Sequence, residues 1–135
     1  MNKSWIGYAI NNWKSAGIEL NPGTSIEVIK EAERKIGIQF PGDFKEFYLE
    51  MNGFIDRDWT PTMFSIWPIE RILEEYNSGD DCIFVGFCDF LINSHLIGFE
   101  KGRNGVFKDY ETYEPIAPSF ADLIYLINSD ADIIY

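Results

Sequence analysis

Two cysteines, one histidine and several pairs of carboxylates are the residues in this chain whose types could support chemistry. Cys88 and His95 share the stretch "CDFLINSH", and a thiolate activated by that imidazole would be a nucleophile. Such a system is defined by geometry rather than spacing, and no nucleophile-elbow pattern accompanies the pair. Alternation along a strand would place His95 on one face with Asn93 and Ile97, so a half-exposed strand histidine is expected. Cys82 and Cys88 bound the apolar run "CIFVGFC". Two cysteines and one histidine do not complete a four-ligand structural zinc site without carboxylates. Buried, reduced thiols are expected instead, with no metal, no cofactor and no catalytic residue.

The carboxylates pair as Asp56 with Asp58, Glu74 with Glu75, Asp80 with Asp81, and Asp130 with Asp132. A calcium loop of the EF-hand type needs oxygen ligands at alternating positions, a central Gly and a closing Glu. "DRDWTPTMFSIW" has neither the Gly nor the Glu, and "DADIIY" offers too few positions. Two carboxylates acting on a glycosidic bond would need an open cleft between them, which spacing does not reveal. Gly-rich phosphate loops of either common pattern are absent from the sequence. Each pair is therefore expected on solvated surface, where two groups have the composition of a protein interface. These are Asp56, Asp58 and Trp59, and the run Glu74, Glu75, Asp80 and Asp81, since an aromatic anchor beside a charged rim is a common makeup of binding surfaces.

The charge distribution supports that choice. Residues 1–37 carry five basic and four acidic side chains, whereas residues 38–135 carry six basic and eighteen acidic, for a formal net charge of −11. Such a field repels phosphate backbones, which proteins bind largely through Lys and Arg, and attracts basic partners. Nucleic acid and anionic membranes are thus disfavoured as partners. The first residues, "MNKSWIGYAINNW", lack a continuous apolar core and a small-residue cleavage site, and no apolar run reaches the length of a membrane span. A cytoplasmic protein is expected.

The elements that must position these residues are legible from periodicity. With 46% hydrophobic and 16% aromatic residues the chain is too apolar for disorder, and its length suits a single domain over 1–135. Trp5, Ile6, Ala9, Ile10 and Trp13 predict an amphipathic helix stopped by Gly17. After a loop at "ELNPG", Thr24 and Glu27 have capping-box spacing, Ile26, Ile29, Ala32 and Ile36 form a stripe, and Gly37 ends the helix. Pro41 then starts a helix whose Phe44, Phe47, Tyr48 and Met51 share one face and which Gly53 closes. Glu33, on the less apolar side of its helix, is placed to hold free N–H groups at the corner between the two. Strands are predicted at 62–67, 82–88, 90–100 and 105–110, the last two joined by a hairpin at "EKGRNG". A helix started by Pro68 carries Ile69, Ile72, Leu73 and Tyr76, and a final one, capped by Ser119, carries Phe120, Leu123, Ile124 and Ile127. The fold class is α+β, an antiparallel meander with helices packed mainly on one side.

The stretch "IKEAERKIGIQFPGDFKEFYLEMNGF" resembles the signature of the SUKH superfamily. That signature has a helix ending in Ala-Glu-x-x-(aliphatic)-Gly, an aliphatic-x-(aromatic or Leu)-Pro turn, an aromatic-containing helix and Asn-Gly. Ala32, Glu33, Ile36, Gly37, Ile38, Phe40, Pro41, Phe44, Phe47, Tyr48, Asn52 and Gly53 occupy those roles. "FSIWPIERI" and "IAPSFADLIYLI" are similar to its later elements, while residues 54–62 depart from it. The resemblance implies a non-catalytic α+β binding domain. It further implies either a bacterial immunity protein, whose partner is a cognate protein toxin such as a nuclease, or a scaffold that binds another protein. A toxin with a basic active-site groove would suit the acidic surface; another basic protein is the alternative. A hydrolase using Cys88 and His95, or a carboxylate pair, is the competing class, and would lose turnover in His95→Ala.

Overall fold

The computed structural model describes residues 4–55, 60, 64–76, 84–90, 95–108 and 115–128, with Ser4, Phe90 and His95 described by backbone alone. Its elements run α1 (Ser4–Ser15), β1 (Leu20–Pro22), α2 (Ile26–Ile36), α3 (Gly42–Glu50), β2 (Met51–Phe54), β3 (Phe64–Ile66), α4 (Ile69–Glu75), β4 (Phe84–Phe90), β5 (His95–Glu100), β6 (Phe107–Lys108) and α5 (Phe120–Asn128). The mixed α+β class follows directly. Strands β3, β4, β5 and β6 form one antiparallel sheet in chain order, with α4 in the connection from β3 to β4. The hairpin at 101–106 joins β5 to β6, and an isolated bridge from Val106 to Ala117 extends the edge.

The helix stripes end up where their spacing points. Ile6, Ala9 and Trp13 of α1, Phe44, Phe47 and Tyr48 of α3, and Phe120, Leu123, Ile124 and Ile127 of α5 are all buried. Phe44 sits at the centre. It stacks on Phe40 at 4.4 Å and Tyr48 at 4.3 Å, and meets Phe87, Phe99 and Phe120 edge-on at 5.1 to 5.9 Å, the offset and edge geometries that aromatic quadrupoles favour. One side chain thereby ties α3 to β4, β5 and α5.

Helix ends are built by the expected glycines. Gly17 has φ of 83° and its N–H donates to the Lys14 carbonyl, while Ile18 donates to Trp13, the paired bonds of a Schellman ending. Gly37 ends α2 with the same φ of 83° but a different bond pattern, Glu33 O accepting from both Gly37 and Ile38. Ser119 caps α5, its hydroxyl accepting from Asp122 N–H at 3.1 Å and donating to the Asp122 carboxylate at 2.8 Å.

Four expectations are corrected. The cap of α2 is Ser25, whose hydroxyl accepts from Val28 N–H, while Thr24 donates its N–H to Tyr48 O. Ile26, one residue past that cap, is exposed rather than part of the stripe. "ELNPG" is not only a loop: Leu20–Pro22 pairs antiparallel with Met51–Phe54 as a separate two-stranded sheet, so Met51 and Gly53 lie in a strand and Gly53 caps nothing. Finally, Phe90 belongs to β4, and the following strand begins at His95.

Candidate partner-binding face

The corner between α2 and α3 concentrates the unusual residues, and its polar groups turn inward. Glu33 accepts from Phe40 N–H at 2.7 Å and pairs with Lys45 Nζ at 3.2 Å, its side chain 15% exposed. The expected role of Glu33 is thus met: it satisfies a donor that the turn leaves without a backbone partner. Asp43 joins the corner to α5. One of its oxygens accepts from its neighbour Phe44 and the other from Ala121 N–H, both at 2.9 Å. Lys101 donates to the Ile36 carbonyl at 2.6 Å and to Tyr76 Oη at 2.5 Å, which places a cation at the negative end of α2.

A cleft of about 720 Å³ opens between this corner, the β5–β6 hairpin and the start of α5. Its basic residues are engaged within the fold. Lys101 is held as just described, and Arg103 pairs with the buried Glu100 at 2.9 Å while lying 4.5 Å over the Phe107 ring. Glu100 and Ser119 line the cleft too and are likewise engaged, Glu100 with Arg103 and Ser119 with Asp122.

Cys88 lies in β4 opposite Ile97, and His95 opposite Phe90. The Cys88 thiol is fully buried and donates weakly to Asp89 O at 3.8 Å. Burial, then the neighbouring Asp89 charge, pushes its pKa well above the ordinary thiol value, so the thiolate a nucleophile needs is disfavoured. Asp89 itself is buried, accepting from Trp67 Nε1 at 2.6 Å with the Arg71 guanidinium 3.7 Å away and stacked over the Trp67 ring at 4.4 Å. This interior network locks α4 onto the sheet. Among the described residues no group of three or more His, Cys, Asp or Glu could hold a metal ion, and no helix is long and apolar enough to cross a membrane.

Of the residues singled out as partner contacts, Asp56, Asp58, Trp59, Asp80 and Asp81 lie outside the described residues, as do Cys82, Asp130 and Asp132. Glu74 and Glu75 are described, and both are exposed on α4. Glu75 pairs with Arg71 at 3.7 Å, whereas Glu74 has no ion pair or hydrogen bond among the described residues. Sequence reasoning passed over Glu70, one turn before Glu74 and so on the same side of the helix. Glu70 is also exposed, and one of its oxygens accepts from Asn52 Nδ2 at 3.0 Å. Its spacing from Glu74 was the available signal.

No curated protein matches the chain. The model of the SMI1 / KNR4 family (SUKH-1) matches residues 23–125, a span that holds both the corner and α4. The match covers well over half the chain, from the cap of α2 into α5, and the chain therefore belongs to the SMI1 / KNR4 family (SUKH-1).

Proposed function

We propose that this chain is a non-catalytic protein-binding domain, an immunity protein that neutralises a cognate bacterial toxin by laying an acidic face over the toxin's basic active-site groove. A nuclease is the toxin class that suits the charge, because a groove built for phosphate backbones carries Lys and Arg. The observation that carries the reading is the contrast in exposure. The one described thiol is buried and held protonated, while the Glu70–Glu74 row of α4 stays in solvent. Family membership supports the coarser part, a protein-interaction domain. The mechanism is steric and electrostatic occlusion, without chemistry on the partner.

The test is co-expression with the toxin encoded beside it, together with binding measured from low to high salt. Protection of the cells and an association rate that falls as ions screen the field over about 10 Å at 0.1 M are expected. Unprotected cells, or binding indifferent to salt, would overturn the reading. If no toxin gene lies nearby and another basic protein binds instead, the domain is a scaffold.

A further inference from the structure

Beside the acidic row, three segments far apart in sequence enclose a second cleft of about 440 Å³: Asn21 and Thr24 around β1, Asn52 and Ile55 at β2, and Pro68 and Glu70 at the start of α4. Hydrogen bonding decides what these walls offer. Asn21 Nδ2 donates to the carbonyl oxygens of Asn52 at 3.0 Å and Phe54 at 3.3 Å. That orients the amide and leaves Oδ1 as its remaining capacity. Asn52 is engaged at both ends, Oδ1 accepting from Ile69 N–H at 2.9 Å and Nδ2 donating to Glu70 Oε1. Glu70 is therefore held by one oxygen and keeps the other. Neither Asn21 Oδ1 nor Glu70 Oε2 has a protein donor among the described residues.

A carboxylate oxygen and an oriented amide oxygen on one small cleft select a cation with several divergent donors. The planar guanidinium meets that description better than an ammonium, because its fixed fork reaches two acceptors at once. The stem of such a side chain needs apolar surface, and Ile55 and Pro68 line the same cleft. The volume falls within the range of small-ligand sites. The geometry points to this cleft as the socket for an arginine side chain of the protein partner. The inference rests on the reading of a basic partner given above, and extends it from a general field to one residue-sized contact.

The test titrates N-acetyl-L-arginine methylamide into the ¹⁵N-labelled chain. Saturable shifts of the Asn21 and Asn52 side-chain amide signals are expected. The citrulline analogue, which keeps the shape without the charge, should leave them in place, and equal shifts with citrulline overturn the proposal whether or not any variant folds. Glu70→Gln retains an oxygen for Asn52 Nδ2, and should weaken the arginine probe about tenfold, the loss of one charge-assisted hydrogen bond. Unchanged affinity in that variant overturns the proposal. The two readings separate cleanly. If a basic toxin is captured equally by wild type and Glu70→Gln, the socket falls and the immunity reading stands. If the probe binds as described but no toxin is captured, the socket stands and the immunity reading falls.

Discussion

The corner between α2 and α3 and the start of α4 are assembled from similar parts: a proline before a helix, a positive-φ glycine close by in space, and a glutamate that accepts a hydrogen bond from a neighbouring segment. They use the glutamate differently. Glu33 is mostly buried, and its Oε2 takes both the Phe40 N–H and the Lys45 cation. Glu70 is exposed, bonded through one oxygen to a side-chain amide. A carboxylate whose removal strands a buried N–H is architecture, because an unpaired donor in the interior costs free energy. One that keeps an acceptor facing solvent can be offered to a partner. The difference teaches that Glu33 is spent on the scaffold, whereas Glu70 keeps hydrogen-bonding capacity that the fold does not use, the capacity on which the proposed socket rests.

The largest expected effect lies on the scaffold side. Phe44→Ala should lower stability by about 3–5 kcal/mol in urea unfolding, since the ring is fully buried among five aromatic partners. A loss below about 1 kcal/mol would mean the corner is not the keystone of the core.

Alkali should act next most strongly. Tyr48 is fully buried, its hydroxyl donating to Trp67 O at 2.6 Å, and it links α3 to the residue before Pro68. Burial, then the nearby Cys88 and Glu70 charges, pushes its pKa well up, and burial does the same to Cys88. Both groups hold protons more tightly folded than unfolded. Stability from this source is complete at neutral pH. It falls once the unfolded thiol and phenol ionise, beginning near roughly pH 8.5 and steepening near 10, by about 1.4 kcal/mol per pH unit for each group. Urea midpoints from pH 7 to 11 should show the decline, and Tyr48→Phe should flatten its upper part. A midpoint that rises with pH would contradict the burial of both groups.

Glu33→Ala should cost about 1–3 kcal/mol, the penalty for leaving Phe40 N–H without its acceptor, read as a drop in the thermal midpoint. Glu70→Gln should stay within about 0.5 kcal/mol of wild type, as exposed substitutions do. The comparison is sharpened if these two variants differ as stated, and broken if they destabilise equally.

Much of the scaffold was legible locally. Every helix was announced by a stripe, because burial of one face imposes the 3.6-residue period on whatever sequence folds there, and α1 and α2 also by the glycines that stop them. The hairpin at 101–106 showed itself by its Gly and Asn content, and Glu33 by its place on the less apolar side of α2. The candidate site was legible only in part. Glu74 and Glu75 were picked out as a charged pair and are exposed on α4, but Glu70 and Asn21 were not, since neither forms a run or a recognised motif, and Asn52 was named only as part of the family signature.

By itself, then, the sequence determined most of the residues that would be interior, the glycine stops of α1 and α2, and an acidic composition. Only the tertiary structure decided that Leu20–Pro22 pairs with Met51–Phe54, which puts Asn52 where it caps α4. Tertiary packing also explains Gly53, since a Cβ there would come within 2.3 Å of Pro68 N and glycine lets the Trp67–Pro68 backbone close onto β2. The physical reason is range. A face or a cap is encoded within a few neighbouring residues, whereas a three-residue strand has too little pattern to name its partner. The cleft between Asn21 and Glu70 exists only after the chain has brought segments some fifty positions apart into hydrogen-bonding distance of Asn52.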